Sequence, residues 1–465
     1  MSEDTSIEST QPEILEKGEY KLVKRDVAAI LYAVDTEDAS KLRELLEPLH
    51  PADIADLLEQ LNTFDRRRLV LLFGQDFDGD ILSELDESIR EEIIAVLHPD
   101  ILAEAVRELE TDDVVDLVED LDEPQQEAIL EALEDSDRVA VEQALSYPEY
   151  AAGRLMQREV VTAPEHWTVG DAIDFLRHAE DLPDQFYHVI LVDPRMHPMG
   201  NVTLGKIMSS GRDVPLTQIV EEAFRVIPVM QDEGDVAYAF NQYHLISAPV
   251  VDEDGRLVGV ITIDDAMTVL DEEHEEDILR LAGVSDEASL SDSILEAAKG
   301  RATWLFVNLF TAILASLVID MFAETIDQMV ALAVLMPIVA SMGGNAGTQT
   351  MTVTVRALAT RDLTAQNAMR VVWREISVGA LNGVLFGVVM AGVAALWFGV
   401  PMLAIVIGVA MVLTQVAAAI GGIIIPMALD RFGVDPALAS GPFVTTVTDV
   451  VGFFAFLGLA ASVLL

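Results

Sequence analysis

The chain has 465 residues, of which 79 are Asp or Glu and 28 are Lys or Arg, giving a net charge of −51. So acidic a molecule repels nucleic acid and attracts cations. With no cysteine, disulfides, thiolate metal sites and cysteine nucleophiles are excluded, and 8 scattered His leave soft metals little to hold; oxygen ligands suit Mg2+, Ca2+ or Mn2+ instead.

Charge is unevenly spread. Only 8 of the acids and 5 of the bases lie beyond Arg301. An acidic polar part therefore precedes a nearly neutral apolar part. Residues 1–25 read as a disordered acidic tail without a signal peptide, so the polar part is expected in the cytoplasm.

Residues 26–150 show a helical period and almost no strand signal. A module recurs there: Leu49-His50-Pro51-Ala52-Asp53-Ile54, then Leu97-His98-Pro99-Asp100-Ile101-Leu102, then Leu109-Glu110-Thr111-Asp112-Asp113-Val114. Each copy offers a helix start followed by an apolar stripe, which fits short helices stacked in a superhelical array. The acids between the stripes read first as a solvated face. Asp76-Phe77-Asp78-Gly79-Asp80 fails as a calcium loop, because that loop needs its Gly after the third acidic position, where Ile81 stands. It is expected to be a helix-linking turn.

A second repeat follows. Val192-Asp193, Gly200, Thr203 and Met208 match Val251-Asp252, Gly259, Thr262 and Met267, each pair 59 residues apart. Each copy reads as helix, apolar strand, Asp-containing turn, second strand and helix. Asp252-Glu253-Asp254-Gly255 is read as a plain turn. The tandem βαββα pattern resembles a pair of CBS domains, which implies a regulatory module, often nucleotide-binding, with ATP or another adenine nucleotide as the candidate cofactor.

Six carboxylates crowd Asp271-Glu272-Glu273-His274-Glu275-Glu276-Asp277. Like charges three and four residues apart on a helix repel, and a divalent cation would relieve this. A solvated helix start, with acids facing the favourable end of the dipole, is the cheaper explanation of the run.

Five apolar stretches are long enough to cross a bilayer: near 303–322, 329–355, 376–398, 402–428 and 443–465. Pro337 with Gly343-Gly344 is expected to interrupt the second span, and Gly421-Gly422 with Pro426 the fourth. A broken helix is tolerated in a membrane only against protein or water, so the second span is a candidate pore wall. Close packing through small residues is the alternative. Lys299, Arg301, Arg356, Arg361, Arg370, Arg374 and Arg431 fall in alternate loops, which places the N-terminus inside and the C-terminus outside. In the last span Asp449 is the lone charge. A carboxylate at mid-bilayer costs about 2.5–3.5 kcal/mol on insertion scales, so Asp449 reads as the contact for a crossing cation. The other reading is a polar group bonded to a neighbouring helix or reaching the headgroups.

In this order the parts resemble the MgtE family of magnesium channels and transporters over nearly the whole length. The specific signals are Pro337 with Gly343-Gly344-Asn345-Ala346-Gly347-Thr348-Gln349, then Arg356-Ala357-Leu358-Ala359-Thr360-Arg361-Asp362, and Gly433-Val434-Asp435-Pro436-Ala437 leading to Asp449. The fold class is therefore multi-domain. An all-α superhelical N-terminal domain (26–150) precedes α/β tandem CBS domains (151–212 and 213–270). A connecting helix (271–301) and a five-helix α transmembrane domain (302–465) follow. The resemblance implies a homodimer in the cell membrane, with one pore on its axis lined by the second and fifth spans, Asp449 as the Mg2+ contact, and Asn345 and Thr445 lining the pore. It also implies closure by cytoplasmic Mg2+ bridging acids, carried here to Asp80, Asp112 and Asp116 in the helical domain, Asp232 and Asp265 in the CBS pair, and Glu273, Glu276 and Asp277 in the connecting helix. His244, Gly234 and Thr268 stand where relatives can place ligands, so a smaller or weaker set of regulatory ions is expected. Gly441 stands where a relative can have Asn. Rival readings are the same architecture passing Co2+ or Mn2+, and a membrane-tethered sensor without a pore. No nucleophile elbow, P-loop or metalloprotease motif appears, so an enzyme is not expected.

Overall fold

The computed structural model describes residues 22, 24–119, 121, 123–179, 182–183, 185–222, 224–285 and 294–464. The acidic tail expected over 1–25 lies outside them except for Leu22, Lys24 and Arg25, and part of the connecting segment, 286–293, lies outside them too. The chain divides into two compact units, Met1–Asp271 and Glu272–Leu465.

The first unit begins with short helices: α1 (Lys24–Asp35), α2 (Ala39–Leu46), α3 (Pro51–Gln60), α4 (Thr63–Phe73), α5 (Asp80–Ser83), α6 (Glu87–Ile94), α7 (Pro99–Glu108), α8 (Thr111–Glu119), α9 (Glu123–Ala132) and α10 (Asp135–Ala144). The repeated Leu-His-Pro works as a helix start. His50 and His98 sit in extended backbone, and each ring accepts a backbone N–H at 3.3 Å, from Ala52 and Asp100 respectively. Pro51 and Pro99 then take the first helical position, where the missing N–H costs nothing. Helix ends repeat as well. Buried Arg66 donates to the carbonyls of Leu58 and Leu61, buried Arg90 to that of Leu85, and Gln126 to those of Val118 and Leu121. Orphan carbonyls at the end of one helix are thus satisfied by the next layer. Leu58, Leu69, Ile81, Ile93, Val106 and Leu117 join one continuous core.

Two small sheets follow. The first is β1 (Thr162–Pro164), β2 (His188–Val192) and β3 (Pro198–Thr203), with α11 (Val169–His178) and α12 (Leu204–Ser209). The second is β4 (Ile227–Pro228), β5 (Ser247–Val251) and β6 (Leu257–Thr262), with α13 (Glu233–Tyr243) and α14 (Ile263–Leu281). In each the first strand pairs parallel and the last antiparallel to the middle one. The register shifts at Leu191/Val192 and again at Val250/Val251, one repeat apart. Both Asp-containing turns are built alike. Asp193 Oδ1 accepts the N–H groups of Arg195 and His197, and Asp252 Oδ1 those of Asp254 and Arg256. The repeats meet where His188 Nδ1 lies 2.6 Å from Ser247 Oγ.

In the second unit five helices are long and apolar enough to cross a membrane. They lie in α15 (Ile294–Asp320), α17 (Ala331–Ala359), α18 (Ala368–Phe398), α19 (Pro401–Arg431) and α20 (Pro436–Val463), with the short α16 (Ala323–Gln328) after the first. The expected interruptions are absent: α17 and α19 each run through their proline unbroken. Each proline removes one N–H from the ladder, a loss that membrane helices tolerate when packed against neighbouring helices. The glycines serve close approach instead. A Cβ on Gly343 would meet Thr414 Cγ2 at 2.6 Å, one on Gly347 would meet Val444 Cγ1 at 2.7 Å, and one on Gly422 would meet the carbonyl oxygen of Gly347 at 2.8 Å. Small residues are letting α17, α19 and α20 touch.

Candidate ion path and ion-sensing sites

Asp449 stands on α20 amid apolar and hydroxyl side chains, half-buried, and among the described residues it has no hydrogen-bond or ion-pair partner. Thr445, one turn earlier on the same helix, is exposed; its hydroxyl donates to the Gly441 carbonyl at 3.0 Å. Thr448 is fully buried and turned into the bundle. On α17, Asn345 is exposed, while Gly343 and Gly347, on either side of it, pack against α19 and α20. The bundle thus spends its small residues inward, with Asn345 and Thr445 exposed and Asp449 half-buried. An oxygen set of this kind can hold a hydrated hard cation by water-mediated contacts.

A second constellation lies within the first unit. Asp112, at the start of α8, is buried, and its Oδ1 has no hydrogen-bond partner. Burial first, then Asp265, Asp113 and Glu110, push its carboxyl well above the ordinary range. Asp265, at the start of α14, accepts the N–H and the hydroxyl of Thr262, at 3.2 and 2.6 Å. Burial raises it to about 6. Glu110 and Asp113 rise to about 7, again chiefly through burial and then through Glu159 and Asp265 respectively. Gln157 donates to Glu110 and Thr111 to Glu159, whose Oε2 is buried and unbonded. Acids are crowded here, a condition a divalent cation relieves; Arg158, between Gln157 and Glu159, is buried with its Nε and Nη2 likewise without a hydrogen-bond partner among the described residues.

The carried-over residues separate into those the structure gathers and those it does not. Asp112 and Asp265 meet, and Asp80 and Asp116 both act on Asp113 nearby. Asp116, however, already binds Arg90 at 2.6 Å. Asp232 is spent as the cap of α13, accepting from Asp235 N at 3.3 Å. No group of three or more potential ligands poised around one point occurs among the described residues. In the second unit Glu273 is exposed on α14. Glu276 pairs with Arg280 at 2.9 Å, and Arg280 also reaches Asp435 at 3.1 Å. Burial, then Asp435, raises Asp277. Glu110, Asp113 and Glu159 were not singled out from sequence. The run Glu110-Thr111-Asp112-Asp113 held a signal for the first two, but nothing local to Glu159 pointed to it.

Between the two small sheets lies a shallow, partly open cleft of about 20 Å3, lined in part by Glu159, Tyr187, His188, Ser247 and Thr262.

The MgtE divalent cation transporter model matches residues 336–459, the MgtE intracellular N domain model 49–150, and the CBS domain model 152–213 and 225–272. The magnesium transporter MgtE of Thermus thermophilus is 32% identical over 437 residues, covering 92% of this chain and 96% of the relative. That of Enterococcus faecalis is 33% identical over 319 residues, covering 69% and 70%. A solved structure, the cytosolic domain of the Mg2+ channel MgtE in complex with ATP, shares 29% identity over 52% of this chain and 99% of its own, with a TM-score of 0.49. Fold and matches together define a multi-pass membrane protein with an intracellular N domain, of the divalent cation transporter class. The chain belongs to the MgtE family, a family of magnesium transporters and not of enzymes.

Proposed function

We propose that two copies of this chain form one pore that admits Mg2+ to the cytoplasm, and that cytoplasmic Mg2+ closes it. The observation that carries this reading is Asp449, an unpartnered carboxylate in a membrane-spanning helix. Such a group is stable when it faces water and a cation rather than lipid. Mg2+ dehydrates reluctantly, so a site that accepts the ion with its water shell avoids that cost. A pair of facing carboxylates supplies the attraction, with Thr445 and Asn345 as neutral acceptors. Size and charge alone discriminate hydrated divalent ions weakly, so Co2+ and Mn2+ compete at this site.

Closure rests on these crowded acids. Asp112 and Asp265 fit a cation, because the buried Oδ1 of Asp112 is left without any partner. With Mg2+ bound the helical domain and CBS pair hold together. Without it, ionised carboxylates drive them apart. Glu273, Glu276 and Asp277 act in the same sense on the connecting helix. Mg2+ uptake into proteoliposomes tests both halves: fast at low internal Mg2+, slow at high. Equal rates in the two conditions would remove the feedback, and no uptake in either would remove the pore.

The cleft between the small sheets supports a second role, binding the base of an adenine nucleotide, with Tyr187 and His188 as stacking and polar contacts. Titration of the full chain with ATP, monitored by heat, tests it. Heat that Tyr187→Ala leaves unchanged would place any nucleotide elsewhere.

A further inference from the structure

Thr414 and Gln415 of α19 are 0% and 3% exposed, two polar side chains sealed inside a membrane bundle. Asn345 and Thr445, by contrast, are exposed, and Asp449 is half-buried. Thr414 spends its hydroxyl on the Ala410 carbonyl of its own helix at 2.8 Å, and its methyl group turns to the neighbouring helices. That methyl sits in a notch made by glycines of two other helices. Cγ2 would lie 2.6 Å from a Cβ on Gly343 of α17 and 3.3 Å from one on Gly452 of α20. Gln415 reaches the residue beside the first glycine, its Nε2 donating to the Met342 carbonyl at 3.2 Å. The far side of Gln415 is pressed by α18, where a Cβ on Gly379 would lie 2.8 Å from the Gln415 carbonyl oxygen and one on Gly383 3.3 Å from its Cβ.

One dipeptide therefore fixes α17 at 342–343 and α20 at 452. Asn345 follows the first point by two residues, and Asp449 precedes the second by three. A buried amide bonded to backbone cannot slide along a helix without losing its partner, and in hydrocarbon no water replaces it. We propose that Thr414 and Gln415 are positioning residues of the ion path, which set the height of Asn345 on α17 against Asp449 on α20 and so tune which hydrated cation is accepted. The inference rests on the reading of Asp449 as the ion contact.

The test is flux of Mg2+ and of Co2+ into proteoliposomes holding the full chain. Gly343→Ala forces a methyl into the notch, and Mg2+ flux is expected to fall about tenfold. Adding Thr414→Ser removes the opposing methyl but keeps the hydroxyl, and is expected to restore most of that flux. Gln415→Met keeps the volume and deletes the amide, and is expected to change the Mg2+ to Co2+ flux ratio about threefold while Asp449 is intact. Should Gly343→Ala not yield monodisperse protein, recovery of such protein by Thr414→Ser is the readout. The inference is overturned if Thr414→Ser fails to rescue, or if Gly343→Ala keeps wild-type flux. An unchanged ion ratio in Gln415→Met also overturns it. Wild-type protein without Mg2+ flux overturns it along with the pore reading, whereas flux that ignores these substitutions overturns it alone.

Discussion

Asp112 and Asp449 are both carboxylates partly taken out of water, yet their settings differ. Asp112 is buried among Asp265, Asp113 and Glu110, so its own neighbours oppose its charge. Asp449 has no ion-pair partner among the described residues and is half-buried on α20. Removing the charge should therefore help one site and ruin the other. Asp112→Asn relieves repulsion, so in metal-free buffer protease is expected to cut the full chain more slowly than wild type, and Mg2+ to add little further protection. An undiminished Mg2+ response in that variant would exclude Asp112 as a ligand. Because the chain has no cysteine, a thiol can be placed at one position alone. Thr445→Cys is expected to join two copies through a short bifunctional maleimide, whereas Leu385→Cys, exposed on α18, is not. Monomer only from Thr445→Cys would argue against a shared axis.

Elements show how far pattern reading reaches. The 59-residue repeat, the His-Pro helix starts and the apolar length of five spans are local properties, and the folded chain carries each of them. Pro337 and Gly343-Gly344 misled because composition cannot tell a break from a close contact; only the neighbours Thr414 and Thr448 decide it. The pairing of Asp112 with Asp265 spans over 150 residues and left no trace in local pattern beyond the carried-over family positions. Arg280 was likewise silent. It lies four residues after Glu276, but its second partner, Asp435, caps the helix that bears Asp449 by accepting from Ala437 N at 2.7 Å. Leu281 next to it packs toward Met351, Val355 and Val444. Arg280 thus serves as a fixed cation between the acids of the connecting helix and the start of α20. Arg280→Ala leaves those acids facing one another, so the internal Mg2+ needed to halve uptake is expected to rise. No change in that concentration would mean the contact is incidental to closure.

At the scale of the whole molecule, the acidic composition and the pH response belong together. Burial first raises Glu110 and Asp113 to about 7 and Asp265 to about 6. Once exposed they return to ordinary carboxylate values near 4. The docked form then holds more protons between these limits, so without metal its stability falls as pH climbs from about 4 through about 7. Protease cleavage of the full chain in chelator is expected to be slow near pH 5 and fast near pH 8, and millimolar Mg2+ is expected to flatten that profile. A profile that Mg2+ leaves unaltered would detach the cluster from sensing.

The most direct test of the pore is Mg2+ flux through Asp449→Asn in proteoliposomes at low internal Mg2+, beside wild type. The amide keeps the size of the side chain and deletes its charge. The account predicts flux near the protein-free background from a variant that still assembles as wild type does, and wild-type flux from that variant would contradict it.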